Sequence, residues 1–398
     1  MNFVPGQHPR EQTTQLAINL QVVGLGGAGG NVVDKLAAIG LGASGFMAVD
    51  TDAQALQRIV MAKKMAVGVK RTRGLGCGGD PDLGRQCIES AKRTLCKQLE
   101  GAGVVLLISG MGGGLGTGAS PALAKIAAAE SALVLVLALM PFECEGRRRM
   151  EQAHVGLSQL REAADAVICL PNQHVLELHG EDKSAQETFE KANALVMEGV
   201  LGIGRLLRAD GLLTAGLADL RAVLSDRHEC SVLAAVEAEG RKRHRELLDQ
   251  LCAHPFMENG KVLKEADALL VSLVGGLDMS MSDVNRVTQH ISAHCPDAEL
   301  VLSAAVEPDF KEKLGITVIT ARGKTEAETK KLEDFAVTEA KPVVNAEPKV
   351  RGRRRKAKQQ ELQLRSVSKG RFEKSEPTLY GGKDLDVPTF IRRNLPLK

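Results

Sequence analysis

Aromatic residues are scarce in this chain: they make up 3% of its 398 residues, with one tyrosine and no tryptophan. Stacking of bases on aromatic platforms is therefore not its main business, and no nucleic-acid partner is expected. Apolar runs are short, none reaching the ~18 residues that span a bilayer, and Met1 to Leu20 carries no secretory apolar core. The default expectation is a cytoplasmic protein. The eight cysteines, at 77, 87, 96, 144, 169, 230, 252 and 295, include no CxxC pair, and no His or Cys stands at metal-ligand spacing. Neither a disulfide framework nor a protein-held metal is indicated.

What is present is a composition of 44% hydrophobic and 25% charged residues, enough to bury a core in two or three domains of roughly 150 residues each. The net charge of +3 hides an asymmetry. After Ala340 the chain carries 16 Lys/Arg against 6 Asp/Glu, a net +10, which leaves the preceding body at −7.

Leu16 to Gly24 is a short apolar run ending in a glycine cluster, and Asn31 to Ile39 continues with helical periodicity. Gly45 to Val49, Val104 to Ser109, Leu133 to Leu139 and Ala166 to Leu170 repeat the pattern of an aliphatic strand that runs into a polar or glycine-rich loop. Strands apolar on both faces belong to a doubly wound, mainly parallel α/β sheet. Ser184-Ala-Gln-Glu187 has the form of a capping box and opens a helix expected to reach about Leu207. Beyond it the pattern predicts a helix over Ser231 to Ala253, a strand over Ala268 to Val274, a helix over Asp283 to Ser292, and strands over Leu300 to Ala305 and Ile316 to Thr320. Expected organisation is a flexible start (1–18), a first domain (19–183), a central helix (184–210), a smaller α/β domain (211–323), a flexible basic linker (324–383) and a terminal peptide (384–398). The linker includes six basic residues in Arg351 to Lys358 and is too polar to offset its ordering entropy.

Gly24-Leu-Gly-Gly-Ala-Gly29 matches GxGxxG, and Asp50 follows about 20 residues on, as a dinucleotide site asks. A second loop shifts the reading, because the nine residues from Gly110 to Gly118 hold six glycines. Successive N–H groups free of side chains converge into an anion nest, and a helix expected to start near Ala119 adds its positive end. Two such loops on neighbouring strands suit a triphosphate. Glu145 and Arg149 stand four apart at a helix start, so they share a face and either reach one ligand or pair with each other.

Gly112-Gly-Gly-Leu-Gly-Thr-Gly118 resembles the GGGTGTG signature of the tubulin/FtsZ family, with Leu115 in place of the first threonine. The likeness runs from about Gln21 to Gly323 and includes Asp50-Thr-Asp-Ala-Gln-Ala-Leu56, Gly74 to Pro81, Pro141 to Met150 and Leu170-Pro-Asn172. The resemblance implies that Gly26, Gly27, Ala28, Gly29, Gly30 and Asn31, with Gly112, Gly113, Gly114, Leu115, Gly116, Thr117 and Gly118, surround the phosphates of GTP or GDP, with Mg2+ on the nucleotide. It places Glu145, Arg149 and Asn172 in the same site, and Phe189 and Asn193 on the guanine. It also implies head-to-tail self-assembly into a division ring at midcell, in which a loop patterned NxDxxD completes the neighbour's site.

That loop departs from the pattern here. Thr214-Ala-Gly-Leu-Ala-Asp219 has Thr214 for the amide and Gly216 for the first acid, leaving Asp219 as the catalytic carboxylate. Loss of a water-positioning group costs on the order of 10²-fold or more, and Asp50 stands where the family has asparagine. Three readings stay open at this point: a self-assembling GTPase of the division machinery, a GTP-binding scaffold with weak or no hydrolysis, and a dinucleotide-dependent enzyme. In the tail, Leu385 to Arg393 resembles the family's C-terminal peptide, through which membrane tethers and regulators are met, so the membrane is expected as an indirect partner only.

Overall fold

A computed structural model describes residues 18–40, 43, 45–130, 132–179, 183–208, 212–213, 215–224, 231–308 and 310–323, and 379–380 with 383–384 in the tail. In chain order the first part comprises β1 (Leu20–Leu25), α1 (Gly26–Ile39), β2 (Gly45–Asp50), α2 (Ala53–Arg58), β3 (Lys63–Ala66), α3 (Val69–Thr72), α4 (Pro81–Ser90), α5 (Lys92–Leu99) and β4 (Val104–Gly110). It continues with α6 (Gly114–Ala129), β5 (Leu133–Met140), α7 (Arg147–Arg161), β6 (Ala166–Pro171) and α8 (Asn172–His179). The six strands pair in the order β3-β2-β1-β4-β5-β6, and every pairing is parallel.

Alternation along these strands buries both faces. Val22, Leu106, Ile108, Leu135 and Leu137 join one core, and Val23, Leu25, Val105, Leu107, Val134 and Val136 join the other. The chain order of strands reverses between β1 and β4, and in such sheets ligands sit at the carboxyl ends of the strands beside that switch. Both glycine loops leave from there.

The central helix α9 (Ala185–Arg208) opens with the expected capping box: Ser184 N and Oγ both donate to the Glu187 carboxylate, at 3.0 and 2.9 Å, and Glu187 N donates back to Ser184 Oγ at 3.2 Å. Its buried residues Ala192, Leu195, Val196, Val200, Ile203 and Leu207 form a stripe at helical spacing that packs into the first core. Toward the second sheet it approaches closely. A Cβ at Gly202 would lie 2.1 Å from Thr317 Oγ1, and one at Gly199 2.5 Å from Leu233 Cδ2.

The second part contains α10 (Leu217–Leu224), β7 (Val232–Glu239), α11 (Arg243–Cys252), α12 (Lys261–Lys264), β8 (Ala268–Gly275), α13 (Met281–His294), β9 (Glu299–Val306) and β10 (Lys313–Ala321). Its sheet runs β7-β10-β8-β9, with β10 antiparallel to both neighbours and β8 parallel to β9. The single helix expected over Ser231 to Ala253 is a strand followed by a helix. Val232 to Glu239 reads as helical because of its alanines and glutamates, but it pairs with β10 through Thr320↔Val232 to Lys313↔Glu239, and this tertiary pairing overrides propensity. Gly240, at φ 88°, then turns the chain into α11. In the separate unit 338–398, β11 (Leu379–Tyr380) pairs antiparallel with β12 (Lys383–Asp384). The basic run and Leu385 to Arg393 lie outside the described residues.

Candidate nucleotide site

The two glycine loops are neighbours in space. β1 and β4 pair with Leu25 opposite Ser109, and a Cβ on Gly110 would sit 2.9 Å from Ala28 Cβ, so one loop touches the other. α1 starts at Gly26 and α6 at Gly114, neither with a side-chain cap nor with an acidic residue in its first turn. Each helix thus presents unpaired N–H groups and its positive end. The second helix begins five residues earlier than the sequence suggests, so Gly114 to Gly118 belong to its first turns and not to a loop. Helix propensity disfavours that glycine run, and tight packing on its neighbours compensates.

Packing sorts the glycines into two kinds. A Cβ would meet Gly110 O at 1.9 Å from Gly116, Pro81 O at 1.7 Å from Gly118, Asp80 N at 2.7 Å from Gly114, and Ile108 O at 2.2 Å from Gly29. These positions are empty of side chain because backbone lies against them. At Gly26, Gly27 and Gly113 nothing stands within 4 Å, so these face open space. Gly30 has ordinary room, with Ile59 Cδ1 at 3.5 Å. Gly112, at φ 85°, lies against the α7 backbone at Arg149 O, 2.7 Å from the site of a Cβ.

Leu115 points into the core behind the sheet at 6% exposure. A hydroxyl is therefore not missing from the face where the loops open, and only its backbone N–H stays available there. Thr117 is buried, and its Oγ1 accepts the Gly112 N–H at 2.8 Å, tying the loop to the helix.

Asp50, at the carboxyl end of β2, is buried and accepts the N–H groups of Thr51 and Asp52 at 2.7 and 3.0 Å. Burial raises its carboxyl pKa against the lowering effect of these bonds. It shares a small cavity of about 50 Å³ with Gly26, Gly27, Gly30, Asn31 and Arg58. No sequence motif marks Arg58; it falls in a six-residue helix whose position beside the first loop depends on the pairing of β2 with β3.

Glu145 closes a short 3₁₀ turn, accepting the Phe142 N–H at 2.9 Å, and Arg149 on the first turn of α7 donates to its carboxylate. The two residues therefore pair with each other beside Gly112. Phe189 is half exposed and meets buried Phe142 edge-on, ring centroids 5.0 Å apart at 71°. Asn193, one turn further along α9, is half-buried, and so is Asn172 at the head of α8. The two glycine loops thus meet at the carboxyl ends of β1 and β4, the Glu145–Arg149 pair stands beside Gly112, and Phe189 on α9 packs on Phe142 just after β5.

Asp219 lies elsewhere. It is on the first turn of α10, where Oδ2 accepts the Gly216 N–H at 2.8 Å. Two residues on, Arg221 Nη2 reaches Asp165 Oδ1 at 3.1 Å, and Asp165 Oδ2 accepts the N–H of Val134 at 2.8 Å. Asp165 and Val134 stand at the amino ends of β6 and β5. α10 is therefore tied to the opposite edge of the sheet from the glycine loops, across strands of six to eight residues, or about 20 Å at 3.3 Å per residue. Thr214 lies outside the described residues.

A doubly wound parallel sheet, two uncapped glycine-led helices at its switch point, and a central helix leading to a second mixed sheet define a nucleotide-binding protein of the two-domain α/β kind. Comparison with known proteins makes this specific. Residues 19–180 match the model of the GTPase domain of the tubulin/FtsZ family, and residues 230–323 that of the C-terminal domain of the FtsZ family. The chain is 30% identical over 384 residues to a cell division protein FtsZ of Azotobacter vinelandii, covering 94% of this chain and 96% of that one. An FtsZ dimer from M. jannaschii superposes with a TM-score of 0.69 at 28% identity, over 76% of this chain and 88% of that one. A GTPγS-bound protofilament of CetZ2 from Haloferax volcanii shares the fold, with a TM-score of 0.65 at 21% identity, over 80% and 99%. The chain belongs to the tubulin/FtsZ family, on its FtsZ branch.

Proposed function

We propose that this protein binds GTP between its two glycine loops and assembles head to tail into the filaments of a cell-division ring, each subunit completing the hydrolytic site of the next. The observation that carries the reading is the placement of Asp219 at the amino edge of the first sheet and of the loops at its carboxyl edge. One chain cannot bring the acid to its own nucleotide, whereas a second copy stacked edge to edge can.

In this reading the N–H groups at the starts of α1 and α6 hold the phosphates, and the open positions Gly27 and Gly113 let the ligand approach the backbone. Arg149, released from Glu145, turns its guanidinium to a phosphate while the carboxylate takes a ribose hydroxyl. Phe189 offers a ring face to the purine, and Asn193 reads its edge. Mg2+ takes oxygen ligands and keeps several waters. Asp50 and Asn31, which line one small cavity beside the first loop, are the side-chain oxygen donors that would hold such an ion together with the phosphates. Such an ion supplies neutralising charge. Asp219 of a neighbouring copy orients the attacking water, and with Gly216 in place of a second acid turnover is slow.

The segment from Asp384 to Lys398 is the proposed contact for a membrane tether at the division site, with Phe390 and Ile391 as apolar anchors and Arg392 and Arg393 as steering charge. Deleting it should leave assembly intact and abolish recruitment to the division site.

Light scattering with GTP, GDP and a non-hydrolysable GTP analogue, run beside phosphate release, tests the reading. Assembly with GTP and with the analogue, disassembly with GDP and slow release of phosphate are expected. Nucleotide-independent scattering would contradict it.

A further inference from the structure

On the outside of the second domain two histidines lie together away from the nucleotide site. His290 and His294 are one turn apart on α13, with ring centroids 4.6 Å apart and planes tilted by 40°. His290 is exposed and His294 half-buried. His294 Nδ1 is 2.9 Å from the carbonyl oxygen of His290. A ring that donates its Nδ1 proton to a carbonyl is held in the tautomer whose Nε2 carries the lone pair, the arrangement found behind most metal-ligating histidines.

The helix that carries the pair is firmly held. Ser280 and Asp283 form its capping box, buried Arg243 on α11 pairs with Asp283 at 3.1 Å and with Asp278, and Val284, Val287 and Ile291 bury its inner face. Two imidazoles on a rigid element at helical i,i+4 spacing lose little freedom on binding one ion. Asp249 on α11 places a carboxylate within electrostatic reach of His290. Asp249 also approaches Arg245 at 4.0 Å, which leaves it as outer charge and not as a third ligand.

We infer that His290 and His294 chelate one borderline divalent transition-metal ion of the Zn2+ type on the outer face of the second domain. Imidazole nitrogens suit zinc, copper and nickel and are poor ligands for Mg2+ or Ca2+, so this site is chemically separate from the Mg2+ that accompanies the nucleotide. The remaining coordination positions are filled by water.

The test is a Zn2+ titration of the full-length, nucleotide-free protein carrying no histidine tag, with a chromogenic chelator as competitor. One ion should bind. Outer-sphere changes alone cost on the order of 10- to 100-fold in metal affinity, so His290→Asn and His294→Asn should each weaken binding by at least about 10-fold, and both should abolish the rise in melting temperature on adding Zn2+. His244→Asn and Cys144→Ser, at an ordinary histidine and an exposed thiol, should bind like the parent. The inference is overturned if the His290 and His294 variants bind as tightly as the parent, if Cys144→Ser removes the ion, or if the parent binds no more tightly than a single imidazole. The variants' metal-free melting temperatures check that they fold, and none of these results bears on GTP binding.

Discussion

The carboxylate of Asp219 accepts the backbone N–H of Gly216 at 2.8 Å, so the acid expected to act on a neighbour's nucleotide also caps the helix that presents it. The two roles separate by substitution. Asp219→Asn keeps an acceptor oxygen for Gly216, and its melting temperature and GTP affinity should match the parent while phosphate release from assembled protein falls on the order of 10²-fold. Asp219→Ala should lose the same activity and in addition about 1 kcal/mol of stability with the cap. Parent-like turnover in Asp219→Asn would leave the residue a purely structural part.

Gly216 allows the reverse experiment. Its φ is outside the left-handed region, and an added Cβ meets only Asp219 Oδ2, at 3.9 Å. Gly216→Asp should therefore fold without backbone strain and raise phosphate release by up to about 10²-fold, the converse of removing such a group. A folded, assembling variant with unchanged turnover would show that the missing acid does not limit the rate.

The division of the glycines predicts opposite consequences for one chemical change. Gly27→Ala and Gly113→Ala add a methyl into open space and should keep the parent melting temperature while weakening GTP binding by about 10-fold or more, since a loss of 1.4 kcal/mol suffices. Gly116→Ala and Gly118→Ala drive a Cβ into backbone, and denaturant unfolding should show a loss of about 1–3 kcal/mol or more. Weak binding by these two would report unfolding and not contact with the ligand.

His254 predicts the acid side of the stability curve. It is 5% exposed, its Nδ1 accepts the Phe256 N–H at 3.2 Å, and burial, helped by Lys191, pushes its pKa from 6.5 down to about 4. The unfolded chain takes up the proton first, so stability is complete above pH 6.5 and falls as pH drops toward 4, by about 3 kcal/mol at 1.36 kcal/mol per unit. His254→Asn preserves the cap and cannot titrate, so its unfolding free energy should change less over that window. An identical acid dependence in parent and variant would assign the loss to other groups.

Much of the fold is legible in the sequence. Aliphatic runs ending in glycines located β1 and β4 and, with them, the switch point, because strands buried on both faces have a pattern that little else produces. Ser184 and Glu187 marked the head of α9 for the same local reason. What could not be read depended on distant partners. Val232 to Glu239 becomes a strand only because β10 lies beside it, and the approach of the Gly110 and Pro81 backbones to Gly116 and Gly118 has no signal in the sequence. That the Leu115 side chain points to the core is likewise set by the packing of α6 and not by the glycine motif around it. Arg58 carries no motif and reaches the Asp50 cavity through sheet pairing alone. The opposite edges occupied by Asp219 and the glycine loops follow from Arg221 and Asp165, 56 residues apart in the chain.

Competition for labelled GTP on the full-length protein tests most directly whether the two-loop site is built for a guanine nucleoside triphosphate. Unlabelled GTP and GDP should displace the label near stoichiometric concentration, while ATP and NAD should leave it bound at about 100-fold excess, a preference of about 2.7 kcal/mol. Displacement by ATP or NAD at concentrations equal to GTP would contradict the account.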